Sequence, residues 1–212
     1  MKVTTVLTPL INAAFRYVID TSKHYNIDES HSMKHSMEVF SYANSIYKSE
    51  LDKNPFLLEQ QSLIYAAAIG HDMCDKKYMD ESEGIHKYKT YMEPFLNSND
   101  LDTMGRIIST MSYSKVRVKG FPDLGEYQMA YHIVREADLL TAYDVDRSII
   151  YNMYCNNCNY TDALKETLKL FETRMFTMRS DNLFITSYSK KESLKLHKKA
   201  QKQISNLKNL YT

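Results

Sequence analysis

Apolar residues recur at three- and four-residue intervals along nearly the whole chain, the spacing of one face of an α-helix. Leu10, Ile11, Ala14, Phe15, Val18 and Ile19 form the first stripe. Thr8 reads as its N-cap and Pro9 as its first helical residue, where a missing N–H costs nothing. A second helix is expected over about residues 30–49, burying Met33, Met37, Val39, Phe40, Ala43 and Ile46. Asn54 and Pro55 introduce a third, through Leu58, Leu63 and Ile64 into the small apolar run Ala66-Ala67-Ala68-Ile69. Asp80-Glu81-Ser82-Glu83 has the form of a capping box and opens a fourth, to about Leu96. Asp100 starts a fifth, with Leu101, Met104, Ile107, Ile108 and Met111 on one face. Residues 116–125, with Gly120, Pro122 and Gly125, form the longest expected non-helical piece, a short hairpin or a lid. Helical spacing then returns over residues 126–143, around Ile149 to Tyr154, and from Thr161-Asp162 to Met178. Ser189 to Glu192 reads as a capping box for the last helix, which carries Leu194, Ala200, Ile204, Leu207 and Leu210. The expected fold is therefore all-α, one domain over residues 1–212 with about eight or nine helices.

Composition narrows this little. With 212 residues the chain is long enough to bury roughly 70% of its unfolded surface. A formal net charge of +1 argues against a dedicated nucleic-acid binder, which is usually strongly basic. No apolar run approaches the roughly 18 residues of a membrane span, so no membrane partner is expected. Met1-Lys2-Val3-Thr4 lacks a signal-peptide apolar region, and three cysteines make no disulfide framework. The expected location is cytoplasmic. Cys155-x-x-Cys158 reads as a helix end, and the lysines after residue 189 as the solvated face of the last helix.

Candidate chemistry begins where the alanine run ends, in Gly70-His71-Asp72. Adjacent imidazole and carboxylate groups leaving a packed helix can meet at one point, and that mixed pair suits Mn, Co, Fe or Zn better than Mg or Ca. Upstream, His31 and His35 are spaced i, i+4, one turn apart on a helix face. Both can face a metal, or one can bind it while the other holds substrate. Asp138 falls inside an otherwise apolar stripe, where an unpaired carboxylate is costly.

The order His35, His71-Asp72, Asp138 resembles the HD superfamily of metal-dependent phosphohydrolases. Ser30-His31-x-x-x-His35-x-x-x-Val39 resembles its first-helix motif. Gly70-His71-Asp72-x-x-Asp75-x-Lys77-Tyr78 is similar to the centre of the small bacterial YpgQ-like nucleotide pyrophosphohydrolases. Ile107-Ile108-x-x-Met111-Ser112-Tyr113-Ser114 and Glu136-Ala137-Asp138-x-Leu140-x-Ala142 resemble their later segments. The motif-bearing core spans about residues 30–145, with C-terminal helices over about 146–212 packed on it. Five departures stand out. Ser32 replaces an Asp and Glu38 an Arg in the first motif. In the last, Glu136, Leu139 and Thr141 replace the family's Asp, Arg and Asp.

The resemblance implies that His35, His71, Asp72 and Asp138 bind one divalent ion, with Mn²⁺ favoured over Co²⁺, Fe²⁺, Ni²⁺ or Mg²⁺. It implies a phosphohydrolase acting on a small phosphate compound, a nucleotide first of all. A non-nucleotide or cyclic-nucleotide phosphoester, or a weakened nucleotide-binding regulator, remains the alternative. Asp75 is expected to orient or deprotonate the attacking water, and Lys77 to neutralise phosphate charge, with Lys115 and Arg135 as further candidates. His31, Ser112 and Ser114 are expected to line the substrate site. A second metal would need His86 or His132, but His132 lies six residues before Asp138, about 240° around the helix. Oligomerisation is left open.

Overall fold

The computed structural model describes residues 4–209, with side chains from residue 7 onward. Leu210 and the Met1–Val3 start lie outside the described residues. Within them the protein is all-α. Ten α-helices appear, rather than eight or nine: α1 (Thr4–Tyr25), α2 (Met33–Glu50), α3 (Leu57–Gly70), α4 (Glu81–Met92), α5 (Ser98–Thr110), α6 (Tyr113–Lys119), α7 (Gln128–Thr141), α8 (Val145–Cys155), α9 (Tyr160–Leu170) and α10 (Ser187–Lys208).

The hub is α3, which touches α1, α2, α5 and α7. Every residue from Leu63 to Gly70 is buried. A helix that is apolar all round belongs in a core, and its alanines let neighbouring backbones approach closely. Gly70 marks the closest approach, since a Cβ there would stand 2.3 Å from the Tyr88 ring of α4. The Tyr88 side chain is fully buried and its hydroxyl donates to the Ala66 carbonyl at 2.7 Å. The chain then tightens into a 3₁₀ turn, His71–Cys74, so His71 and Asp72 emerge from the end of the best-packed helix.

Four expectations are corrected. The first helix begins at Thr4, with Pro9 inside it rather than at its first position. The stretch expected as hairpin or lid begins inside α6, which takes in residues 116–119 with Val116 buried and Val118 83% exposed, and only residues 120–124 are irregular. Gly120, at φ +73°, stops the helix. Ser32 rather than Ser30 precedes α2, so His31 sits in the turn before that helix. The last helix is capped by Thr186, whose side chain accepts from the Ser189 N–H, and not by Ser189 with Glu192. The expected N-cap at Asp80 is present, with its carboxylate accepting from the Glu83 N–H at 2.9 Å.

Candidate metal centre

Three elements bring four side chains together. His35 comes from the second residue-pair of α2, His71 and Asp72 from the 3₁₀ turn after α3, and Asp138 from α7. One ligand atom each of His35, His71 and Asp138 lies within 4.8 Å of the others. The two Nε2 atoms are 3.2 Å apart. The Asp72 carboxylate reaches both imidazoles, Oδ2 at 3.0 Å from His35 Nε2 and Oδ1 at 3.2 Å from His71 Nε2. Asp138 Oδ1 stands 3.5 and 3.6 Å from the same nitrogens.

The protons on these rings follow from their far sides. His71 Nδ1 lies 3.0 Å from the Ala68 carbonyl, which can only accept, so Nδ1 carries the proton. Thr141 gives its single hydroxyl proton to the Asp138 carbonyl at 2.7 Å. Its oxygen, 3.4 Å from His35 Nδ1, is left to accept from that ring. In their neutral form both rings turn an Nε2 lone pair toward the carboxylates. In that form four acceptors face one point and repel unless a positive charge, a proton on His71 or a bound cation, lies among them. Asp72 Oδ2, buried and without a hydrogen-bond partner, shows the same deficit. Separations near 3 Å match the edges of an octahedron with bonds of about 2.1 Å, and the N/O set suits a transition-metal dication.

Charges in the cluster shift accordingly. Burial alone would lower His71, but the Asp72 and Asp138 carboxylates outweigh it and raise its pKa to about 9. Burial and the Arg147 guanidinium push His35 down to about 4. Burial works against both carboxylates, yet the neighbouring imidazoles hold Asp72 and Asp138 below their usual range.

The cluster opens into a cavity of about 280 Å³. Asp75, Lys77, Ser112, Ser114, Lys115 and His31 all line it, as the sequence suggested. Ser30 Oγ donates to Asp28 and lies 2.7 Å from His31 Nδ1, so it accepts from that nitrogen and leaves His31 Nε2 as an acceptor toward the cavity. Lys77 Nζ is 3.3 Å from that Nε2 and 3.7 Å from Asp75. Lys115 is already paired, to Glu81 at 2.5 Å.

Arg135 does not reach the cavity. It is buried beside Glu136 at 3.2 Å with its guanidinium 4.6 Å from the Phe121 ring. Its neighbour His132 faces Gln128 at 3.2 Å, also away from the cluster. Arg147, Arg174, Tyr113 and Tyr151 were missed, and all line the cavity. Arg147 donates to the Ser30 carbonyl at 2.6 Å, Thr141 Oγ1 at 2.9 Å and His35 Nε2 at 3.3 Å. The available signal was its place five residues after the last motif, at the start of the next helix.

The altered motif positions have assignable contacts. Glu38 is a surface partner of Lys34. Leu139 is buried beside the cavity. Glu136 is fully buried, and its carboxylate accepts from Ile185 N at 2.7 Å and from Thr186 N and Oγ1 at 3.1 and 2.7 Å, tying the start of α10 to α7.

No protein-family model matches the chain, and no curated protein does. Among solved structures, a crystal structure of a Lactobacillus plantarum protein from structural genomics is similar over 98% of this chain and 97% of its own, with a TM-score of 0.72 and 16% identity. That likeness is one of fold, and the neighbour carries no functional name.

Proposed function

We propose that this protein is a metal-dependent phosphohydrolase acting on a small phosphate compound, with a nucleotide as the first candidate. One observation carries the reading: two imidazole lone pairs and two carboxylates converge at the base of an open cavity lined by cations. His35, His71, Asp72 and Asp138 would hold the ion. When bound, a divalent ion supplies an electrophile that draws charge from a phosphoryl oxygen and makes water easier to deprotonate.

The chain's own residues do the rest. Asp75 fixes the turn by accepting from the Lys77 N–H at 2.9 Å, and its carboxylate borders the cavity, where it can take a proton from water. His31 offers Nε2, held in that tautomer by Ser30 and Asp28, as a second proton site. Lys77 and Arg147 supply positive charge to phosphate oxygens. Tyr113 and Tyr151 give the cavity aromatic walls suited to a nucleoside. The resemblance to the HD superfamily, with an intact ligand order, supports the same reading. Among the described residues no helix is long and apolar enough to cross a membrane.

The test is product formation from a panel of nucleotides with Mn²⁺, reading phosphate and pyrophosphate separately, beside Mn²⁺ binding. Wild type is expected to bind the ion and release product, and Asp72→Ala to lose both. Equal turnover by Asp72→Ala would overturn the metal-dependent reading. Binding of Mn²⁺ without product from any nucleotide would remove the nucleotide.

A further inference from the structure

Five cationic side chains line the cavity, namely Lys76, Lys77, Lys115, Arg147 and Arg174. Lys77, Lys115 and Arg147 have protein partners, and Lys76 is exposed to solvent. Arg174 differs. Its Nε is buried without a hydrogen-bond partner, and among the described residues its guanidinium meets no carboxylate in ion-pair contact. Its notable neighbour is the Tyr113 ring, 4.1 Å from the guanidinium carbon. Stacking on tyrosine returns only part of the hydration a guanidinium loses on burial.

The backbone around it is also unusual. After α9 the chain makes a π-helical turn, Phe171–Met175, closed by Phe176 N–H to the Phe171 carbonyl at 2.9 Å. Phe171 and Met175 are buried and fix the turn in the core, while Arg174 borders the cavity. Turns of this kind are rare and concentrate at functional sites.

We infer that Arg174, stacked on Tyr113, forms a second anion subsite that takes a further phosphate or carboxylate group of the substrate, apart from the group held at the His–Asp cluster. The substrate class is then a small molecule with two anionic groups. A guanidinium with no carboxylate in ion-pair contact among the described residues offers paired N–H donors to such a group. The identity of the first group rests on the phosphohydrolase reading, whereas the subsite stands on Arg174 and its surroundings alone.

The test is calorimetric binding in two conditions. In EDTA, wild type is expected to bind methylphosphonate. Arg174→Met should weaken that binding about 10- to 100-fold, as expected for loss of charge-assisted bonds, with Arg174→Lys between and Asp72→Ala no weaker than wild type. With Mn²⁺, methylenediphosphonate or phosphonoacetate should bind wild type at least tenfold tighter than methylphosphonate, and Arg174→Met should lose that preference. Whichever dianion shows the larger preference identifies the second group as phosphate or carboxylate. Absent binding by wild type in EDTA, or unchanged binding by Arg174→Met, overturns the subsite. An effect of Arg174 in EDTA with no effect of Mn²⁺ supports the subsite and defeats the metal reading instead. Should Arg174→Met not fold, the Nε–Hε NMR signal of Arg174 in wild type must shift on adding methylphosphonate, and a stationary signal overturns the inference.

Discussion

Thr141 stands where the motif it resembles carries a carboxylate, and its hydroxyl lies against an imidazole. Its hydroxyl is fully used: it donates to the Asp138 carbonyl and faces His35 Nδ1 and Arg147. Thr141→Val should therefore lower Mn²⁺ affinity about 10- to 100-fold, the usual effect of removing a group that orients a ligand. Thr141→Ser should restore it, and equal affinities in Val and wild type would show that the hydroxyl does not matter. His71 gives a pH dependence. A proton occupies its ring below a pKa of about 9, raised there by Asp72 and Asp138 against the effect of burial. In the metal-free protein that proton stabilises the fold, fully below about pH 6.5 and no longer above about 9. It also competes with the ion, so Mn²⁺ affinity should rise from pH 6 to 9 by up to about tenfold per unit. Calorimetric titrations in buffers of different protonation enthalpy should show about one proton released at pH 7, and a pH-independent affinity would contradict this. The residues of the cluster were legible because their order and spacing are visible in a sequence. The hydroxyl substitution was legible as a departure, but its adequacy depends on a distance that no spacing encodes.

Among the elements, α7 carries two loads two residues apart and so on nearly opposite faces, Asp138 toward the cluster and Glu136 toward the start of α10. A buried carboxylate that accepts three bonds and faces Arg135 leaves several groups unsatisfied when removed. Glu136→Ala should destabilise the protein by about 3–5 kcal/mol in urea unfolding, and a loss below about 1 kcal/mol would mean that α10 is held by its apolar face alone. Periodicity found the long helices because each has a wide apolar face. It failed at α6, where seven residues carry a single buried Val116 and end at Gly120. It failed again after α9, where the π-helical turn breaks the period. It placed the N-cap of α10 three residues late because Thr186 caps from a turn that is read as loop. Arg135 and Arg147 show the same limit for charges: both are arginines on core helices, and the first is held away from the cavity by Glu136 together with the Phe121 and Tyr131 rings.

Over the whole molecule, the architecture follows from one apolar helix surrounded by four others, and a chain with 16% identity reaches the same fold. What the sequence could show was which faces are buried. It could not show that the segments after α7 supply Arg147, Arg174 and Tyr151 to the cavity, because a cavity-facing arginine and a solvated one look alike in a polar stretch. The close fit of Gly70 against Tyr88 bears on time rather than shape. A phenol ring sealed from solvent, tied at its hydroxyl and pressed on the backbone that leads into His71, can turn over only when α3 and α4 part. Its flip rate is therefore a clock for opening of the floor beneath the cluster. At room temperature Tyr88 should give separate NMR signals for the two sides of its ring, and averaged signals would mean that this floor opens on the millisecond scale or faster.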